Sequence, residues 1–288
     1  MNTKKLIENI MRGVFFVFGM TTIAAVSIIT GFLIINGLPA IREIGIADFL
    51  FGQVWQSTGS DPLFGILPFI LTSVFGTLGA IVIGVPIGLM TAIFLAKIAD
   101  KRTAAAVNTA VDLLAGIPSV VYGFVGMIVL APFIMNTFGL NSGNVMLSAI
   151  IVLSVMILPG IINVSRSALK AVPREYEEAS IALGATKMET IFKVSVPAAK
   201  SGIAAGVVLG IGRAIGEAMA VMMVAGNVSN MPGIFNSVTF LTTAITRELS
   251  YATGLQRDAL FSIGLVLLVF IMIINLVLNL WLKRGLKA

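Results

Sequence analysis

Pro173-Arg-Glu-Tyr-Glu-Glu-Ala-Ser-Ile-Ala-Leu-Gly184-Ala-Thr-Lys-Met-Glu-Thr-Ile191-Phe-Lys-Val-Ser-Val-Pro197 is a polar stretch between two long apolar blocks. Pro173 suits a helix start. Glu175, Glu177 and Glu178 then fall in the first turns, where the helix dipole favours anions. Gly184 is a good C-cap residue, so a helix of about ten residues should stop there, with positive φ at the glycine. Thr186 can cap a second short helix, expected to end before Pro197. The stretch reads as helix, glycine turn, helix, lying at a membrane surface.

Working outward, the chain holds six apolar blocks, at about 13–38, 68–96, 115–135, 145–165, 199–226 and 259–282. Each is near the roughly 20 residues a spanning helix needs. Hydrophobic residues make up 58% of the chain and charged residues 11%, whereas a soluble domain carries about 25% charged residues. Nothing alternates like a barrel strand, and lipid cannot satisfy free backbone groups, so all six should be helical. The expectation is an all-α polytopic membrane protein with six transmembrane helices, one transmembrane domain over 1–288 and the loop 166–198 on one surface. The first outer loop, 39–67, carries Pro39, Trp55, Gly59, Asp61 and Pro62. The last, 227–258, should contain a short helix near 236–250.

Charge sets the direction. With the N-terminus inside, Lys4, Lys5, Arg12, Lys97, Lys101, Arg102, Arg166, Lys170, Arg174, Lys187, Lys193, Lys200, Lys283, Arg284 and Lys287 are all cytoplasmic, 15 of 19 basic residues. Arg42, Arg247 and Arg257 are outside, and Arg213 lies within a span. The positive-inside rule selects N-in, C-in. The net charge of +6 is then an orientation effect and implies no nucleic-acid partner.

The chain has no Cys and no His, which excludes thiolate and imidazole catalysis and leaves only a carboxylate metal site. No metal site and no catalytic residue is expected. There is no GxxxxGK[ST] phosphate loop, so the chain does not bind ATP in that manner.

Glu178-Ala179-Ser180, Gly184 four residues on, then Ile191 and Pro197, resemble the EAA loop of ABC importer permeases. The resemblance implies a type I ABC importer permease-like bundle whose cytoplasmic coupling helix docks on a separate ATPase. Glu178, Ala179, Ser180, Gly184, Ala185, Thr186, Ile191 and Pro197 would be the coupling residues. ATP and Mg would be bound by that partner, with no cofactor in this chain. The family pattern has Ala at the third position, where Ser180 is a small replacement.

Span five reads Gly202-x3-Gly206-x3-Gly210, then Gly212-Arg213-Ala-Ile-Gly216-Glu217. On a continuous helix, residues 206, 210, 213 and 217 share a face, so the charged pair should point into a small-residue helix contact. A charge in a span is by default functional. Arg suits bidentate recognition of a tetrahedral oxyanion, and Glu217 could hold the guanidinium or accept a hydrogen bond from a protonated phosphate, which sulfate could not offer. The competing reading is a structural ion pair that locks helices.

Gly116-Ile-Pro-Ser-Val-Val-Tyr-Gly-Phe124, Phe64-Gly-Ile-Leu-Pro68 and Gly212-Arg-Ala-Ile-Gly-Glu-Ala-Met-Ala-Val-Met-Met-Val-Ala-Gly-Asn227 look like the phosphate permeases, the last more like the PstC type than the PstA type. The resemblance covers nearly the whole chain. It implies a phosphate-importing permease subunit of the bacterial cytoplasmic membrane, forming half of a pathway. Its partners would be a PstA-like second permease, two PstB-like ATPase subunits, an extracytoplasmic PstS-like phosphate-binding protein and membrane lipid. Ala218 departs from the Thr expected there. Ser119, Thr72, Thr77 and Asn163 are further polar pathway candidates, each with helix contact as its plainer role. The alternatives are an importer for another oxyanion such as molybdate or sulfate, an intramembrane enzyme, and a structural or sensory membrane protein. An enzyme would need a second intramembrane carboxylate beside Glu217, and the sequence has none. A structural protein needs no coupling loop.

Overall fold

The apolar blocks fold as helices in the computed structural model, which describes residues 3–59 and 61–287. The side chains of Lys4, Lys5, Lys283, Arg284 and Lys287 lie outside that description. Helix α1 (Thr3–Ile44) carries span one, Ile10–Ile44. Pro39 lies inside α1 and not in the outer loop expected for it; spanning helices tolerate Pro where neighbours re-satisfy the backbone. The first outer loop holds α2 (Ile46–Phe51) and a two-stranded antiparallel pair, β1 (Trp55–Gln56) and β2 (Leu63–Phe64). Trp55 and Phe64 pack with Phe49, Phe69 and Leu260, so this loop caps the outer ends of the helices.

Span two is α3 (Leu67–Ile93) extended by a wide π-type turn, Phe94–Ile98. The helix that follows, α4 (Lys101–Gly116), was not expected from sequence: its Ala-rich composition is too polar to read as a span. Asp100 caps it, accepting from the backbone N–H groups of Arg102 and Thr103. Ile117 is extended, as a residue before Pro must tend to be, and Pro118 ends the run. Span three therefore starts at Ser119 and not near residue 115. It runs through α5 (Ser119–Val125), a wide turn at Gly126–Leu130 and α6 (Ala131–Phe138).

Span four, α7 (Met146–Lys170), is the centre of the bundle. Of its most apolar window 61% is buried, against 0% for span one. Small residues let neighbours close on it. A Cβ at Gly84 would sit 2.7 Å from Ile157, and one at Gly88 would sit 2.9 Å from Ile161. Ala80, Gly84 and Gly88 thus form a small-xxx-small stripe on α3.

The cytoplasmic loop folds as α8 (Arg174–Ala182), a glycine turn, α9 (Lys187–Thr190), a wide turn at Ile191–Ser195 and α10 (Val196–Ala198). The second helix passes through Pro197 and ends at Ala198, two residues beyond the expected stop, because Pro197 sits in the first turn of α10, where its missing N–H is least needed. A 71° bend then leads into α11 (Lys200–Gly216), the membrane part of span five. Span five is not one continuous helix to residue 226. It breaks at Glu217, which is extended (φ −72°, ψ 127°), and resumes as α12 (Met219–Val224). The chain then folds back inward: Val238 and Phe240 are buried in the main core with Leu153 and Val221. Helix α13 (Leu241–Glu248) lies inside the expected window, and α14 (Gly254–Lys287) carries span six over Gly254–Val277.

Candidate functional site

Helix α11 has two faces of opposite character. Gly206 and Gly210 are buried against Ser165 and Ile161 of α7. Arg213 is exposed, on the same open side as Leu209, and nothing lies within 4 Å of a Cβ placed at Gly212 or Gly216. The expectation that Arg213 shares the glycine contact face with Gly206 and Gly210 is therefore corrected.

The expected Arg213–Glu217 pair is corrected too. Among the described residues these two side chains form no ion pair and no hydrogen bond with each other. The helix ends at Gly216, so the i,i+4 geometry that would bring them together is lost. Glu217 is instead occupied with the break. Its Oε1 accepts the Ala220 backbone N–H at 3.0 Å, and its carbonyl accepts the Thr242 hydroxyl at 2.8 Å. Those bonds satisfy groups that a broken helix frees inside lipid. Ala218, at the N-cap position of α12, has no side chain able to do so, and the neighbouring carboxylate takes over that role.

Arg213 is thus a guanidinium on an open helix face within a span. The hydroxyl of Tyr122 donates to the Leu114 carbonyl at 2.7 Å. Tyr122 is not among the residues the sequence singles out, although it stands one turn after Ser119. Ser119, the first residue of α5, is half-buried. Thr72 and Thr77 are sealed inside the bundle, and the Thr72 hydroxyl has no partner. Asn163 donates to Asp112 of α4 at 3.3 Å. The structure therefore does not gather Thr72, Thr77 and Asn163 onto the open face of Arg213.

The cytoplasmic loop has the form its residues foretold. Gly184 has φ 92°, and the amides of Gly184 and Ala185 close the end of α8 on the carbonyls of Ile181 and Ser180. Thr186 and Glu189 form a reciprocal capping box. The Thr186 amide, then Lys193 and the Thr186 hydroxyl, draw the Glu189 carboxyl down to about 2. Ser180 bonds Thr190 across the turn at 3.0 Å, a contact Ala could not make. Ile191 anchors the loop, buried with Ile93, Leu169 and Val172. Glu178, Ala179 and Pro197 stay exposed. So do Tyr176, Ile181, Leu183, Met188 and Phe192, apolar side chains projecting from the loop, with Leu183 91% exposed. Lys97 of span two forms an ion pair with Glu177. Burial pushes the Glu177 carboxyl up, but hydrogen bonds from Lys97 and Ser195 outweigh it and hold it below the usual carboxylate range. No cluster of three or more His, Cys, Asp or Glu able to hold a metal occurs among the described residues.

Comparison with known proteins agrees with this geometry. Residues 84–286 match the family described as binding-protein-dependent transport system inner membrane component. A probable ABC transporter permease protein, YqgH of Bacillus subtilis, is 44% identical over 252 residues, covering 86% of this chain and 82% of that protein. The phosphate transport system permease protein PstC of Pasteurella multocida is 34% identical over 239 residues, covering 76% and 74%. Among solved structures, a chain of a bacterial alginate ABC transporter in complex with an alginate-bound periplasmic protein superposes with a TM-score of 0.63 at 17% identity, over 94% of this chain and 93% of that one.

Proposed function

This chain belongs to the family of binding-protein-dependent transport system inner membrane components, and on that premise we propose that it is the permease subunit of an ATP-driven phosphate importer in the bacterial cytoplasmic membrane. The observation that carries the reading is Arg213, exposed on α11 with no hydrogen bond or ion pair among the described residues. Arg213 lies in the last turn of α11, and a charge within a span costs up to about 2.5–3.5 kcal/mol to place in lipid on insertion scales, the figure for a helix centre. That face is therefore covered by something polar: a second permease subunit, with the anion passing between the two. Gly212 and Gly216 clear the space beside the guanidinium. A planar fork with no carboxylate attached is free to hold a tetrahedral oxyanion in bidentate fashion. Glu217 commits Oε1 to Ala220 and leaves Oε2 as an acceptor for a protonated anion. Phosphate carries such a proton and sulfate does not. The likeness to PstC proteins supports phosphate over other oxyanions.

The partners follow from the same reading. They are a PstA-like permease, two PstB-like ATPase subunits that bind ATP and Mg, and a PstS-like extracytoplasmic phosphate-binding protein. On this reading the chain forms half of the pathway, and ATP hydrolysis belongs to the partner subunits. The exposed apolar side chains around Leu183 fit a groove on the ATPase.

Arg213→Lys tests the reading, because it keeps the charge and loses the fork. Hydrogen bonds to charged groups are worth about 1.5–3 kcal/mol, so uptake per assembled complex should fall roughly tenfold to a hundredfold. Near-normal uptake by Arg213→Lys, or by Arg213→Met with Glu217→Gln, withdraws Arg213 as a ligand of the anion.

A further inference from the structure

Helix α8 has no buried residue, so it has no apolar grip on the bundle. It is nevertheless tied to span two by a charge pair with little exposure. The Lys97 and Glu177 side chains are 12% and 25% exposed, and the Ser195 hydroxyl donates to the same Glu177 oxygen at 2.8 Å. Both partners of Glu177 stand in wide π-type turns, Lys97 in Phe94–Ile98 and Ser195 in Ile191–Ser195. Such turns interrupt the regular ladder and recur where helices bend in function. Glu177 thus joins two deformable points, one ending span two and one leading into span five.

Beyond Lys97, α3 runs through the bundle with its small-residue stripe packed against α7. Near its outer end the Ser73 hydroxyl accepts the Leu241 backbone N–H at 3.0 Å, and the ring of Phe240 fills the space over Gly76. One residue on, Thr242 holds the carbonyl of Glu217 at the break in span five. A continuous set of bonds and packed side chains therefore leads from the cytoplasmic loop to the residue beside the open Arg213 face.

We propose that Glu177, held between Lys97 and Ser195, is the positioning residue through which displacement of the cytoplasmic loop is handed to span two and from there to Glu217. The pair is more than a fastener because the loop is already anchored by Ile191 in an apolar cluster. What Glu177 adds is a directional tie from α8, which carries the exposed Tyr176 and Ile181, to a spanning helix. The depressed carboxyl of Glu177 agrees with a tie that stays charged at neutral pH.

The inference rests on the importer reading and not on which anion is carried. The test uses the assembled transporter in proteoliposomes, with Lys97→Glu, Glu177→Lys and the double swap. The quantity read is ATP hydrolysis with and without the phosphate-loaded binding protein, alongside co-purification of the ATPase. Each single reversal should retain the ATPase yet lower the stimulation at least about fivefold, the low end of typical coupling between sites. The double swap, which restores opposite charges, should recover most of it. Full stimulation in the single variants, or a swap no better than the worse single, overturns the proposal. If a reversal does not assemble, Glu177→Gln is read instead, and normal stimulation there overturns it equally. Stimulation of the unsubstituted transporter by a sulfate-loaded binding protein would withdraw phosphate as cargo while leaving this comparison intact.

Discussion

Two of the chain's short-helix excursions from the bundle are built differently. The cytoplasmic excursion, residues 173–198, turns its apolar side chains outward: Tyr176, Ile181, Leu183, Met188 and Phe192 are all exposed. The outer excursion, residues 217–248, folds part of its apolar surface inward: Val238, Phe240 and Leu241 are buried, Met219, Val228, Met231, Ile234 and Phe235 stay exposed, and Thr242 ties the segment to the break at Glu217. Apolar surface held in water has no folding role and marks a surface waiting for a partner. Apolar surface folded back into the bundle stabilises the chain itself. The cytoplasmic excursion buries Ile191 but none of α8, whereas the outer one sends three large side chains into the core.

The strongest way to break this comparison is truncation on both sides. Phe240→Ala should cost about 3–5 kcal/mol, the usual loss for a buried Phe. Leu183→Ala should change stability by no more than about 0.5 kcal/mol, as for an exposed position, while weakening retention of the ATPase. Thermal unfolding of the solubilised assembly and ATPase co-purification read the two effects. Equal destabilisation by both would erase the distinction.

A smaller effect sharpens it. Gly184 has φ 92° with open space around it, so Gly184→Val meets no clash and suffers only backbone strain. That strain is about 1–2 kcal/mol, concentrated in the turn between α8 and α9. The subunit should insert normally, with transport uncoupled from ATP hydrolysis. Normal coupling would show that the turn geometry does not matter to docking.

The smallest effect is set by pH. The Glu189 carboxyl is depressed from 4.5 to about 2 in the folded loop. A depressed carboxylate contributes stability above its unfolded value, and that contribution is lost as pH falls through the folded one. The capping box should therefore loosen between about pH 4.5 and 2, and not above that window. Anisotropy of a dye on a single cysteine at position 183, placed in a chain that has none of its own, reads the loosening. Glu189→Gln should abolish the pH dependence.

What could be read in advance follows from the range of the forces. The six blocks and their direction are local properties of apolar runs and basic loops. The turn at Gly184 and the Thr186 cap are set by residues within one turn of each other, and both appear as expected. The break at Glu217 is not local. It is completed by Thr242, 25 positions on, and a lone Glu in an apolar run reads more simply as a helical partner for Arg213. The same misreading placed Arg213 in a helix contact when it lies on the open face. In sequence Lys97 reads only as a topology marker, because its partner Glu177 is 80 positions away. Helix α4 left a legible trace in the Asp100 cap, but its weak hydropathy hid it among the connectors.

The central claim, an ATP-driven phosphate pathway through this subunit, is tested most directly by uptake into proteoliposomes. The assembled transporter would be given labelled phosphate outside and ATP inside, with unlabelled sulfate or molybdate as competitor. The account predicts accumulation that requires ATP and the binding protein, persists in excess sulfate and molybdate, and is lost in Arg213→Lys. Uptake abolished by sulfate or molybdate, or indifferent to ATP, would contradict it.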